Sequence, residues 1–126
     1  MNCVSMFLFS AWICGVPTVV DGDTIKIGRE TIRLWGVDAE EMSEPNGPRA
    51  KDILASIVSG KPVKCENMAR DKHGRVVGYC FTGTTNINRQ VVAQGGALDC
   101  RRFSDGAFAS VEPVGIRTKL RQKPYC

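Results

Sequence analysis

A chain of 126 residues, 43% of them hydrophobic, holds enough apolar side chains for one compact core and too few residues for two domains. Its formal net charge is +4, and the excess sits in residues 101–126, which carry six Lys/Arg against two Asp/Glu, whereas residues 1–100 carry eleven of each. A basic segment beside a neutral body suits a polyanionic partner such as nucleic acid, with a merely solvated face as the other reading, and no apolar run is long enough to span a bilayer.

The first run, Val4 to Cys14, has the length of a signal-peptide core, although it lacks a basic region ahead of it and a small-x-small cleavage site. We therefore expect residues 1–15 to be a leader and residues 16–126 the single folded domain, with a buried first strand as the alternative. The six cysteines, Cys3, Cys14, Cys65, Cys80, Cys100 and Cys126, lack the paired short spacings of a zinc site, so disulfides and an oxidising compartment are expected, either secreted or periplasmic. Cleavage near Gly15 would remove two of them and leave four.

Thr18 to Val20 is predicted as a strand entering a turn at Asp21-Gly22, and Thr24 to Ile27 alternates apolar residues around Lys26. Gly28-Arg29-Glu30 then reads as a hairpin turn, with the return strand over Thr31 to Val37. On that strand Ile32 and Leu34 share one face, and Thr31, Arg33 and Trp35 the other. After a turn-rich loop, Pro48 opens a helix whose apolar stripe is Ala50, Ile53, Leu54, Ile57 and Val58, ended by Gly60.

Pro62 to Asn67 and Arg75 to Phe81 are predicted to pair through the loop Arg70 to Gly74, and a second helix is expected from Ile87 to Gln94, capped by Asn86. Beyond Ala97 the pattern weakens to a helix from Phe108 that Pro113 and Gly115 interrupt. The succession alone gives a small α+β domain, which an OB-fold five-stranded β-barrel with two or three helices accommodates.

The first hairpin gathers Asp21 and Asp23 at one end and Arg33 on its return strand, with Asp38, Glu40 and Glu41 just past it. Acids this dense are neutralised by a hard cation such as calcium, which takes carboxylate and carbonyl oxygens, while Asp-Gly by itself is also ordinary turn chemistry.

The order of motifs resembles the staphylococcal nuclease (thermonuclease) family over Val19 to Leu98. The likeness rests on Val20 to Thr24, Ile32 to Glu41, Gly47 to Ala50, Asp71 to Arg75, and Asn88 with Val91-Val92 and Gly95 to Ala97. It implies that Asp23 and Asp38 are carboxylate ligands of Ca2+ and that the carbonyl of Ala39, where the family usually has threonine, is a third ligand. Asp21 would support them from behind. Arg33 and Arg75 match the pair that clamps the scissile phosphate, a task suited to the planar guanidinium fork, with structural ion pairs as their other reading. Glu41 matches the glutamate that activates or positions water. The usual Asp-x-Pro-Glu reads here Asp38-Ala39-Glu40-Glu41, so losing the proline makes Glu40 a candidate substitute base.

His73 stands where the family usually has tyrosine and is expected to contact base, sugar or phosphate. Phe103, beside Arg101 and Arg102, is expected to stack on a base or to pack in the core. The implied activity is phosphodiester hydrolysis in DNA or RNA that leaves 3′-phosphate ends, with little sequence preference, by a monomer. The alternatives are a non-catalytic nucleic-acid-binding OB-fold module and a disulfide-stabilised secreted domain with a protein partner.

Strand register makes a disulfide expectation testable. A turn centred between Lys72 and His73 sets Cys65 opposite Cys80, with Cα atoms roughly 5 Å apart, within disulfide reach. Cys100 and Cys126 then pair by elimination, tying the basic segment back so that Arg101, Arg102 and Lys123 meet nucleic acid.

Overall fold

The computed structural model describes residues 12–126. Nine strands fall within that range: β1 Trp12–Gly15, β2 Thr18–Asp21, β3 Thr24–Ile27, β4 Glu30–Leu34, β5 Val37–Asp38, β6 Val63–Arg70, β7 Val76–Thr82, β8 Thr85–Asn86 and β9 Leu98–Asp99. The helices are α1 Gly47–Val58, α2 Ile87–Ala93 and the single turn α3 Arg101–Ser104, followed by 3-10 turns at Ala109–Val111 and Ile116–Thr118.

The five strands expected from alternation are all present as β2, β3, β4, β6 and β7, and the sheet also recruits β1 and β8. Its order is β1-β6-β7-β4-β3-β2, with β8 on β7. All pairs are antiparallel except β4 with β7, whose parallel register sets Arg33 beside Val77. β1 and β2 occupy opposite edges of this order yet are joined only by Val16-Pro17, so the sheet curls until its edges meet in one bent strand. This is the OB-fold barrel. β1 also lies inside the segment expected to be a leader; the rest of that segment, and Cys3, fall outside the described residues.

Local chemistry explains the elements that carry the site. Gly28 takes φ 59° at the first position of the two-residue turn closing Ile27 onto Glu30, a conformation open to glycine. A register shift at Val20 turns the end of β2 so that Asp21 pairs with Thr24. Gly22 allows that turn to press on the body: a Cβ there would lie 2.5 Å from the Ala50 Cβ and 2.8 Å from that of Ala39. Along β4 the alternation holds, with Ile32 and Leu34 buried. The expected strand to Val37 breaks at Trp35-Gly36, where Gly36 has φ 72°, and resumes as β5, which pairs with β9 rather than the main sheet.

The α1 stripe behaves as its spacing predicts, with Ala50, Leu54, Ile57 and Val58 buried against the barrel and Ile53 packed at the edge of the core. α2 is capped by the Asn86 side chain, which accepts from the Arg89 backbone N–H. Its buried Asn88 ties the barrel together: Oδ1 accepts from the Cys80 N–H, and Nδ2 donates to the carbonyls of Trp35 and Gly78. The expected helix from Phe108 is instead reduced to single 3-10 turns, and Arg101–Ser104 forms the short helix in its place.

Cys65 faces Cys80 and the two are bonded, with Cα atoms 4.0 Å apart. The expected turn centre is half a residue off, because the loop end pairs Arg70 with Val76. A bulge at Met68 shifts the register by one residue and restores the pairing at the cysteines. Cys100 and Cys126 form the second expected bond, with Cα atoms 4.8 Å apart.

Candidate active site

Strand pairing brings the acids and Arg33 to one mouth of the barrel. Thr24 opposes Arg33, so Asp23, one residue earlier, reaches the guanidinium: its Oδ2 lies 3.2 Å from an Arg33 terminal nitrogen. The same carboxylate accepts from the Ala39 N–H at 2.8 Å and, through Oδ1, from the Thr24 hydroxyl at 3.1 Å. Asp21 stands behind it, accepting from the Asp23 N–H at 3.1 Å. Burial pushes the Asp23 carboxyl above its usual range and Arg33 pulls it back only in part, while the nearby Asp21 adds to the rise.

Arg33 is itself nearly enclosed. Its second terminal nitrogen donates to the carbonyls of Leu34 at 3.0 Å and Val37 at 2.8 Å, and Asp38 lies 3.9 Å away. Burial opposes the guanidinium charge, but Asp23 and the hydrogen-bonding side chain of Tyr125 outweigh it and raise the pKa.

Asp38 is fully buried, and both its oxygens are taken by one residue. Lys123 donates its backbone N–H to Oδ2 at 2.9 Å and its ammonium to Oδ1 at 2.7 Å. The same ammonium donates to the Ala39 carbonyl at 2.8 Å and lies 3.2 Å from a Glu41 oxygen. Burial disfavours the charged amine, and the hydrogen bond and charge of Asp38 reverse that, so its pKa is raised. Lys123, expected to meet nucleic acid, is drawn inward by the acids it neutralises.

The neighbouring glutamates have opposite surroundings. Glu40 is buried: Oε1 accepts from the Asn46 N–H at 3.0 Å, and Oε2 from the Asn46 side chain at 2.8 Å and the Arg121 N–H at 3.0 Å. Burial alone would raise its pKa, and these three hydrogen bonds lower it. The Glu41 side chain is 55% exposed at the rim. Gly47 sets this loop, since a Cβ there would collide with the Glu41 carbonyl.

A cleft of about 690 Å³ opens beside the mouth, lined by Arg33, Arg75, His73, Lys72, Phe103 and Tyr125 among others. Arg75 is held in the 71–75 loop by its Nε, 2.7 Å from Asp71 Oδ2, and Asp71 also accepts from the backbone N–H groups of His73 and Arg75. Phe103 is 54% exposed rather than core, with Tyr125 edge-on at 6.4 Å and Arg102 over its ring at 5.8 Å. Arg101 and Arg102 are both exposed, and neither of these expected substrate contacts lines the cleft.

Both arginines expected to clamp phosphate thus line one cleft, and both are also paired with acids. Two residues of the site escaped the sequence reading, Lys123 as an inward cation and Tyr125 beside Arg33. The signal that could have found them is covalent: Cys126 is bonded to Cys100, whose N–H donates to the Gly36 carbonyl at 2.8 Å, and this anchors the preceding residues near Asp38.

Residues 31–111 match the family described as staphylococcal nuclease homologue. The chain is 35% identical over 104 residues to an uncharacterized endonuclease of Escherichia coli, covering 73% of this chain and 67% of the relative. It is 34% identical over 121 residues to a micrococcal nuclease of Shigella flexneri, covering 83% and 70%. To the succinoglycan biosynthesis protein ExoI of Rhizobium meliloti (strain 1021) it is 34% identical over 112 residues, covering 79% of this chain and 59% of that relative's length. A match over so much of a barrel with this strand order shows that the chain belongs to the staphylococcal nuclease homologue family.

Proposed function

We propose that the chain hydrolyses phosphodiester bonds in DNA or RNA at this barrel mouth, with calcium as its metal and little sequence preference. The supporting observation is that Arg33 and Arg75 line one cleft beside a buried pair of carboxylates. The residues suit a hard cation, since Asp23, Asp38 and the Ala39 carbonyl are oxygen donors and a cationic ammonium already lies against two of the three. Calcium held there supplies positive charge to a phosphoryl oxygen.

The chain's own groups divide the remaining work. Arg33, fixed by two backbone carbonyls, and Arg75, fixed by Asp71, present guanidinium forks to the phosphate and offset charge that grows on its equatorial oxygens. Glu41, exposed at the rim, takes the proton of the attacking water as the water oxygen bonds phosphorus. The bond from phosphorus to the 5′-oxygen breaks to leave a 3′-phosphate, and solvent water protonates the departing 5′-oxygen. Glu40 does not serve as the base in this reading, because its carboxylate is buried and committed to Asn46 and Arg121. Phe103 and His73 line the cleft where bases would stack, and among the described residues no element offers a reading head for the major groove.

All these groups come from one chain, so a monomer suffices. The Cys65–Cys80 and Cys100–Cys126 disulfides suit an oxidising compartment. Cleavage near Gly15 would strip β1 from the sheet. The test is incubation of purified protein with single-stranded DNA in millimolar calcium or in excess chelator. Calcium-dependent shortening is expected; binding without cleavage at every calcium concentration would identify a non-catalytic module instead.

A further inference from the structure

The cation site of this barrel is filled by the protein itself. We propose that residues 121–126 form an autoinhibitory strap, in which Lys123 occupies the cation position, Tyr125 lines the cleft beside Arg33, and the Cys100–Cys126 disulfide latches both in place. The inference rests on the nuclease reading for its functional meaning, and on this chain's own contacts for its geometry.

The ammonium is a plug and not a substitute metal, which follows from counting donors. Lys123 offers three N–H bonds, and three oxygens surround it: Asp38 Oδ1 at 2.7 Å, the Ala39 carbonyl at 2.8 Å and Glu41 Oε1 at 3.2 Å. None is left to reach a phosphate. A calcium ion takes six to eight oxygens and keeps places for water and substrate after binding the same protein atoms. Lys123 thus satisfies the acids while closing the site, and it engages the rim glutamate at the same time.

The strap is built in rather than draped. The Arg121 N–H donates to Glu40 at 3.0 Å, the Gln122 side chain donates to the Asp99 carbonyl at 2.8 Å, and the Lys123 N–H donates to Asp38 at 2.9 Å. Beyond Lys123, Tyr125 lines the same cleft as Arg33 and stands edge-on against Phe103, and the Cys126 carbonyl accepts from the Arg102 N–H at 3.3 Å. Lys123 belongs to the same chain, so its contest with calcium is intramolecular, and the disulfide raises its effective concentration by holding the end of the segment in place. Calcium meets only the fraction of molecules whose strap is open, and its apparent affinity falls by that fraction.

A dithiol reductant would open the latch. It transfers two electrons and two protons to the Cys100–Cys126 bond, leaves as its own cyclic disulfide and frees two thiols. Cys65–Cys80, fully buried in the barrel, is shielded from the same reagent.

Calorimetric titration of calcium chloride, without nucleic acid, tests the strap on the full chain with its disulfides intact. Three proteins are compared: the native chain, Lys123→Met, which keeps the aliphatic stem, and Cys100→Ser with Cys126→Ser, which leaves the Asp38–Lys123 pair untouched should the first variant fold poorly. We expect calcium to bind Lys123→Met at least about tenfold tighter than the native chain, as an open fraction of about a tenth requires, with the untied variant in between. The melting temperature of Lys123→Met should likewise rise more steeply with calcium. Equal affinities, or weaker binding by Lys123→Met, would overturn the plug, and an untied variant no tighter than native would overturn the latch. Because binding is read without substrate, a Lys123→Met protein that takes up calcium and cuts nothing contradicts the nuclease reading alone.

Discussion

The barrel mouth and the segment that covers it are made by different means. At the mouth, regular pairing does the positioning: Thr24 opposes Arg33, Asp23 follows from the turn, and a break at Gly36 sends Asp38 onto β9. Residues 117–126 contain no strand, and contacts between side chains and backbone carry them, with Arg117 donating to Glu112 and the Asp99 carbonyl, Gln122 to the same carbonyl, Arg121 to Glu40, and a disulfide at the end. A framework set by hydrogen-bond ladders can hold a fixed constellation, whereas one set by individual clasps and a reducible bond can be released without disturbing the barrel.

The sharpest way to break this contrast is to remove an acid that both regions share. Asp38→Ala takes away a proposed cation ligand and should lower DNA cleavage by about 10³-fold, measured as initial rate at saturating calcium. It should also free the segment, visible as faster amide exchange over residues 119–126 and not over β3 and β4. Unchanged exchange there would mean that the segment is held without Lys123.

The two adjacent glutamates come next in size. Glu41→Gln should slow cleavage by about 10²-fold with no change in melting temperature, as expected for loss of an exposed base. Glu40→Gln should do the reverse, keeping the rate of the folded protein within a few-fold while costing about 1–2 kcal/mol by weakening the Asn46 and Arg121 hydrogen bonds. If Glu40→Gln abolishes cleavage and Glu41→Gln does not, the assignment is inverted.

Untying the segment with Cys100→Ser and Cys126→Ser should lower stability by about 3 kcal/mol in denaturant titrations, since the bond closes a loop of 26 residues. A loss as large as that from opening Cys65–Cys80, accompanied by collapse of the whole fold, would erase the distinction between frame and cover.

The smallest effect is a pH dependence. The folded-state pKa of Glu40 lies below its unfolded value, so its stabilisation is full above the unfolded pKa and is lost as pH falls through the folded one. The stability gap between the native chain and Glu40→Gln should therefore be widest near neutrality and close in acid. A gap that widens in acid would contradict the hydrogen-bonding account of Glu40.

What was legible follows the same division. Alternation in Thr24–Ile27 and the stripe on α1 each encode burial with a fixed period, so their faces could be read directly. The Cys65–Cys80 pairing was also legible, although the Met68 bulge that brings it into register has no period to betray it. The inward course of Lys123 was not legible because charge composition gives sign and not direction, and the buried acids attract the nearest flexible cation. The role of Glu40 was invisible because its partners are backbone N–H groups and Asn46, contacts that exist only once the loop is folded.

The central claim is that this mouth cleaves phosphodiester bonds, and the rate of Arg33→Ala against the native chain on end-labelled single-stranded DNA tests it most directly. Arg33 donates to two backbone carbonyls and lines the cleft, so its loss should slow calcium-dependent cleavage by about 10³-fold, with circular dichroism confirming the fold. Equal rates in the two proteins, or no cleavage by the native chain even with the strap opened and calcium saturating, would contradict the account.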